Sequence, residues 1–84
     1  MKYPILVERY AQKQIMKLDR KVIPVIKMAI SDLANNPRPP GHIKLNGEEA
    51  YRIRVGNYRV IYEINDDAII VTIISVEHRK DVYK

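Results

Sequence analysis

The stretch "YRIRVGNYRVIYEI", residues 51–64, holds two runs of alternating polar and apolar residues around a Gly-Asn pair. Alternation with a period of two is typical of half-buried β-strands, and Gly-Asn is a dipeptide that suits a two-residue hairpin turn. If residues 56–57 form that turn, Val55 faces Tyr58 across the hairpin and the register of both strands follows. The stretch therefore predicts an antiparallel β-hairpin.

This register places the side chains on two faces, because successive residues of a strand point to opposite sides. One face is apolar and suits a protein core: Tyr51, Ile53, Val55, Tyr58, Val60, Tyr62 and Ile64. The other face, called the arginine face below, is mostly charged: Arg52, Arg54, Arg59, Ile61 and Glu63. Arg54 lies opposite Arg59, and such like-charge pairs destabilise a sheet in which favourable pairs contribute about 0.2–1 kcal/mol.

Two interpretations of the three arginines are open. Their planar guanidinium groups match phosphate oxygens, so the face could bind an anion. Alternatively, they keep an open sheet face solvated and oppose edge pairing, with Glu63 as an ion-pair partner. The face carries no aromatic platform for stacking bases, which favours contact with phosphates over the reading of single-stranded bases.

The residues before the hairpin predict a strand and two helices. Residues 2–8 hold a short apolar run that predicts a strand, and residues 8–18 carry apolar residues at helical spacing. Asp19 suits the N-cap of a second helix, in which Pro24 would either cause a kink or move the start. We expect the two helices to form an antiparallel hairpin on one face of the sheet.

A proline-rich connector, "NNPRPPGH" at 35–42, separates the helices from the strands. After it the hydrophobic period changes to two, which predicts strands near 43–45, 50–55, 57–64 and 68–76, joined by "NG", "GN" and "NDD" turns. The predicted fold class is α+β: an N-terminal strand, a two-helix hairpin and an antiparallel β-meander in two layers. A single domain spanning residues 1–84 is expected.

Composition narrows the function classes. The chain has 15 Lys+Arg against 10 Asp+Glu, a formal net charge of +5, which favours an anionic partner. It has no cysteine, so disulfides and thiolate chemistry are excluded. The N-terminus lacks the apolar core of a signal peptide, and the longest apolar run, 68–76, has only the length of a strand. We therefore expect a cytoplasmic protein without a membrane partner.

The tail "EHRKDVYK", residues 77–84, is the second basic segment. An imidazole titrates near neutral pH, so His78 suits proton transfer, although a lone histidine is more often structural. His42 has no evident partner, and Arg38 and Lys44 are expected to be solvated positive charges near the sheet. The histidines do not have metal-ligand spacing, and no nucleotide-binding or serine-nucleophile motif is present, so neither a metal nor a cofactor is expected.

Three segments together, "NPRPPGHIKLNG" (36–47), "YRIRVGNYRVIYEI" and "SVEHRKDVY" (75–83), resemble the RelE/ParE toxin superfamily of toxin–antitoxin systems, and its RelE branch in particular. The resemblance covers essentially the whole chain. It implies a compact toxin that enters the ribosome (30S A site) and cleaves mRNA there, and a cognate RelB-like antitoxin that blocks it.

The cleavage that this resemblance implies is metal-free. The ribose 2′-hydroxyl attacks the adjacent phosphate, the 5′-oxygen leaves, and a 2′,3′-cyclic phosphate results. Such chemistry needs a base for the hydroxyl, positive charge for the developing phosphorane and an acid for the leaving oxygen. The arginine face suits the second requirement.

The resemblance also assigns residues. It matches Arg52, Arg54, Arg59, Arg79 and Tyr83 to functional positions of the family. With His78 these form the expected catalytic set, and the expected RNA-binding set is Lys44, Arg52, Arg54, Arg59 and Lys80. The pattern departs from RelE at 52 and 54, where the well-studied members have lysine. Arginine stays protonated and is a poor base, so the hypothesis is that the arginines supply charge while His78 or Tyr83 moves a proton.

Two rival interpretations are kept. A ParE-type toxin would share the fold but poison DNA gyrase without a nuclease site, although such toxins typically lack the full set of Arg59, Arg79 and Tyr83. A catalytically inactive relative would act only as a binding module, and the missing lysines would fit that.

Overall fold

The structure is a computed structural model that describes residues 2–45 and 49–82. In chain order its elements are β1 (Ile5–Val7), α1 (Arg9–Met16), α2 (Ile23–Asp32), β2 (Ile43–Lys44), β3 (Ala50–Val55), β4 (Tyr58–Asn65), β5 (Ile70–His78) and α3 (Arg79–Val82). The strands form one five-stranded sheet in the order β1-β5-β4-β3-β2. The predicted α+β class is confirmed, while the predicted "NG" turn at 46–47 lies outside the described residues.

The strands from β2 to β5 form an antiparallel meander, as predicted. β1 instead lies parallel to β5, with Ile5 opposite Val71. The N-terminal strand therefore closes the sheet beside the last strand and not beside the strand that follows it in the chain.

The register of the β3–β4 hairpin is the predicted one. Val55 pairs with Tyr58, and Arg54 pairs with Arg59. Gly56 has a φ of +58°, in the left-handed region that two-residue hairpin turns require and that glycine adopts without a steric penalty. The turn thus fixes which side chains of the hairpin share a face.

The core lies between one face of the sheet and the two longer helices. The helices contribute Ala11, Ile15, Ile26, Ile30 and Leu33, and the sheet contributes Tyr51, Ile53, Val60, Tyr62, Ile64, Val71, Ile73 and Val76. Val55 and Tyr58 pack at the edge of this core and are partly buried. The predicted apolar face of the hairpin is therefore the core face. The arginine face lies on the side of the sheet that the two longer helices do not cover, called the open face below.

The second helix begins later than predicted. Residues 19–22 form a turn in which the Asp19 carboxylate accepts a hydrogen bond from the Lys21 N–H at 2.9 Å. α2 starts at Ile23, so Pro24 lies in the first turn, where a missing N–H removes no helical hydrogen bond. The prediction that Asp19 caps this helix was wrong, because Pro24 moves the start.

β5 extends to His78, two residues past the predicted end, and contains a β-bulge. Ser75 pairs with Ile61, but Ile73 pairs with Tyr62, so Ile74 is one residue more than the opposite strand can match. The side chain of Gln14 on α1 accepts a hydrogen bond from the Val76 N–H at 2.7 Å, which satisfies a backbone group beside the bulge. Beyond the bulge, residues 75 and 77 share the open face with Arg59.

Arg38 is not the solvated positive charge that was expected. Its guanidinium group forms an ion pair with Asp66 at 3.0 Å, donates a hydrogen bond to the Tyr51 hydroxyl at 3.1 Å and lies over the Tyr51 ring. Tyr3 donates a further hydrogen bond to the Asp66 carboxylate. These contacts, here called the Arg38 clamp, connect the proline-rich loop to β3 and to the β4–β5 turn.

Candidate phosphate-binding site

Three arginines surround a pocket of about 110 Å³ at the hairpin end of the sheet. They are Arg54 at the end of β3, Arg59 at the start of β4 and Arg79 at the start of α3. The rest of the described lining is Gly56, Asn57 and Tyr58. This site is called the arginine pocket below.

The hairpin turn and the end of β5 bring these arginines together. Because β5 runs antiparallel to β4, its last residues return to the turn where β4 begins. The Arg79 N–H donates a hydrogen bond to the Asn57 carbonyl at 2.7 Å, which anchors the start of α3 to the turn. The backbone therefore fixes Arg79 next to the pair formed by Arg54 and Arg59.

The pocket is strongly cationic. Among the described residues that line it there is no carboxylate, and arginine remains protonated under all ordinary conditions. Arg54 and Arg59 are direct cross-strand partners, an arrangement that repulsion disfavours. An anion with several oxygens, such as a phosphate, would offset that repulsion and accept forked hydrogen bonds.

Arg52 and Lys44 lie farther from this centre. Arg52 shares the open face with Arg54 but pairs with Ile61 and does not line the pocket. Lys44 pairs with Tyr51, whose ring is in the core, and lies exposed at the β2 edge. The structure thus keeps Arg52 as a neighbour on the same face and does not bring Lys44 to the pocket.

His78 lies on the other side of the sheet from the paired arginines. It is the cross-strand partner of Tyr58, and the two rings meet edge to face with centroids 4.9 Å apart. Its Nδ1 accepts a hydrogen bond from the Lys80 N–H at 3.0 Å. A separate depression is lined by Asn57, His78, Arg79 and Lys80. The proposed proton transfer by His78 stays a prediction, as does that by Tyr83, which lies outside the described residues.

Glu77 is a residue of this face that the sequence did not single out. It lies directly opposite Arg59 in the β4–β5 register, on the open face of the sheet, and is partly buried. The buried Ser75 hydroxyl donates a hydrogen bond to Glu77 Oε2 at 3.3 Å. Counting alternate residues through the apolar run could not reveal this placement, because the bulge at Ile74 changes the phase.

The described residues provide no evident metal site. Within 2–45 and 49–82, no group of three or more histidine and carboxylate side chains is placed to hold an ion. The guanidinium groups of the arginine pocket offer positive charge and hydrogen-bond donors, which suits an anion. None of the helices in this part of the chain is long and apolar enough to cross a lipid bilayer.

Comparisons with known proteins identify the family of the chain and agree with its fold. Residues 5–83 match the family model described as the ParE toxin of type II toxin–antitoxin system, parDE. The chain is 29% identical over 86 residues to toxin RelG of Mycobacterium tuberculosis, which covers 100% of this chain and 99% of that protein. It is 30% identical over 88 residues to the putative toxin RelE1 of Methanocaldococcus jannaschii, with 100% and 98% covered.

Among solved structures, the archaeal RelE–RelB complex of Pyrococcus horikoshii superposes with a TM-score of 0.84 at 27% identity, covering 94% of this chain and 97% of that one. The family model carries the ParE description, whereas the similar proteins and structure carry the names RelG and RelE. The chain belongs to the RelE/ParE superfamily of toxins from type II toxin–antitoxin systems.

Proposed function

We propose that this toxin is a ribosome-dependent endoribonuclease that cleaves mRNA in the A site and so inhibits translation. The observation that supports this most is the arginine pocket, in which Arg54, Arg59 and Arg79 surround a space suited to one phosphate group. Three guanidinium groups around one small pocket match the several oxygens of a phosphate.

In the proposed reaction the 2′-oxygen of a ribose forms a bond to the adjacent phosphorus, and the bond from phosphorus to the 5′-oxygen breaks. The products are a 2′,3′-cyclic phosphate and a 5′-hydroxyl. Negative charge develops on the phosphoryl oxygens in the transition state, and fixed guanidinium groups stabilise it without reorganising. Arg54, Arg59 and Arg79 are assigned to this role.

We also propose a RelB-like antitoxin as the partner that restrains the toxin in the cytoplasm. The similar Pyrococcus horikoshii structure is a RelE–RelB complex. The net charge of +5 favours an acidic protein that covers the open face. An antitoxin that binds the native toxin and not its unfolded chain would also raise the stability of the toxin.

Translation in a purified system programmed with a defined mRNA, followed by primer extension across the A-site codon, tests the nuclease proposal. Arg59→Ala is expected to lower the cleavage rate by about 100-fold or more, the usual loss when one preorganised charge donor is removed from a transition state. Arg38→Ala is the matched control, because it removes an equal charge from the Arg38 clamp, and it should cleave at nearly the wild-type rate. Absence of ribosome-dependent cuts by the wild type would overturn the proposal.

DNA gyrase inhibition is the second candidate, and the ParE description of the matching family model favours it. A supercoiling assay with purified gyrase distinguishes the two activities. Inhibition of supercoiling without mRNA cleavage would support the ParE function. Inactivity in both assays would support a relative that only binds its antitoxin.

A further inference from the structure

The β-bulge in β5 decides which titratable side chain lies beside the paired arginines. Without the bulge at Ile74, strict alternation from Ile73 would place Glu77 on the core face and His78 on the open face. With the bulge, Glu77 pairs with Arg59 on the open face and His78 pairs with Tyr58 on the core side. We propose that Glu77 is the general base that deprotonates the ribose 2′-hydroxyl, an inference that rests on the nuclease function proposed above.

The register places Glu77 one strand away from the phosphate-binding charges. Arg54, Arg59 and Glu77 form one row across β3, β4 and β5 on the open face. Directly paired residues in antiparallel strands have Cβ atoms about 4.5–5.5 Å apart. In RNA the attacking 2′-hydroxyl belongs to the nucleotide directly before the attacked phosphate. Glu77 does not line the arginine pocket itself, but as the cross-strand neighbour of Arg59 it is the carboxylate on the same row as a phosphate held there.

Glu77 also has the right chemistry for a base. Arginine remains protonated and cannot accept a proton, which removes the three pocket arginines from this role. The Nδ1 of His78 already accepts the Lys80 N–H on the other side of the sheet. A carboxylate has two oxygens and about four acceptor positions, so the bond from Ser75 orients Glu77 and leaves capacity for the substrate proton.

The step balances without a further reagent. Glu77 takes the proton of the 2′-hydroxyl as the bond from the 2′-oxygen to phosphorus forms. The bond between phosphorus and the 5′-oxygen then breaks, and the leaving oxygen takes a proton from water. Protonated Glu77 returns its proton to solvent before the next turnover.

The test is single-turnover cleavage on programmed ribosomes, measured against pH, for the wild type and Glu77→Gln. Glutamine keeps the size of the side chain and an oxygen that accepts the Ser75 hydroxyl, so the fold should be preserved. The cleavage rate is expected to fall by about 100-fold or more, the range for loss of a general base, and the rise of the rate with pH should disappear. Glu63→Gln, an exposed carboxylate on β4 at the other end of the same face, should keep the wild-type rate and profile.

The outcomes separate the two proposals. If the wild type does not cleave mRNA, the nuclease function itself is overturned. If the wild type cleaves and Glu77→Gln matches its rate and pH profile, only the role of Glu77 is overturned. A lower rate with an unchanged pH profile would also contradict the inference, because it would make Glu77 a positioning residue for Arg59. Antitoxin binding and thermal unfolding of each variant confirm that it is folded.

Discussion

Arg38 and the three arginines of the pocket have different surroundings. Arg38 meets a carboxylate at 3.0 Å, a hydroxyl at 3.1 Å and an aromatic ring, so its charge is matched by neighbours from other elements. Arg54, Arg59 and Arg79 instead line one pocket together. The clamp holds the proline-rich loop to the sheet, whereas the pocket concentrates positive charge at one place.

The difference shows how an arginine can be assigned a role from its surroundings. An exposed ion pair such as that of Arg38 contributes modestly to stability. Like charges held in register lower stability, and an anion bound between them would offset the repulsion. The position of each of the four arginines, and not their number, therefore distinguishes the structural Arg38 from the three with a proposed catalytic role.

The largest effect on stability is expected at Tyr62, whose side chain bonds to the proline-rich loop that also carries Arg38. The Tyr62 hydroxyl donates to the Pro37 carbonyl at 2.7 Å, and Tyr62 is fully buried. Tyr62→Phe should lower the free energy of unfolding by about 1–3 kcal/mol, because the buried carbonyl loses its partner. Urea unfolding measures this change, with Tyr10→Phe at an exposed position as the control. Equal stabilities for the two variants would show that the proline-rich loop does not depend on this bond.

A smaller and opposite effect is expected in the arginine pocket. Arg54→Gln removes one of two opposed positive charges and should raise the free energy of unfolding by about 0.2–1 kcal/mol while cleavage falls. The gain should shrink as salt is added, because salt screens the repulsion. Urea unfolding at two salt concentrations measures it, and Arg20→Gln, an exposed change between the helices, is the control. A loss of stability would mean that Arg54 supports the fold as Arg38 does.

The smallest expected effect is the pH dependence of the clamp. The hydrogen bonds from Arg38 and Tyr3 lower the pKa of Asp66 below its ordinary 3.8. A depressed carboxyl pKa stabilises the native state above the unfolded value, and this contribution is lost as the pH falls through the folded value. Asp66→Asn should therefore flatten the decline of stability below about pH 3.8. Melting temperatures across the acid range, with Asp67→Asn as the control, would show whether Asp66 carries this dependence.

Much of the hairpin could be predicted from the sequence because its information is local. The Gly-Asn turn at 56–57 sets the register, and strict alternation on both sides assigns each side chain to a face. The opposition of Arg54 and Arg59 followed from those two facts alone. Arg79 could be placed near them only through the family resemblance, since its position depends on where β5 ends.

The remaining features depend on contacts between distant segments. Periodicity marks β1 as a strand but does not reveal that it pairs with β5. The apolar pattern gives no sign of the bulge at Ile74, which transfers Glu77 to the arginine face. Arg38 looks solvated in sequence because its partner Asp66 lies in another turn. In each case the local sequence allows more than one arrangement, and contacts between distant segments decide which one forms.

The parallel pairing of β1 with β5 also bears on the order in which parts of the fold are completed during synthesis. Ile5 pairs with Val71, so the first strand has no partner until β5 has been made. Contacts between such distant segments form late, because a long loop must close before they contribute. β5 also precedes Arg79, so the arginine pocket is incomplete until this segment leaves the exit tunnel. The first strand and the arginine pocket therefore both wait for the same late segment, residues 70–79, before they can be completed.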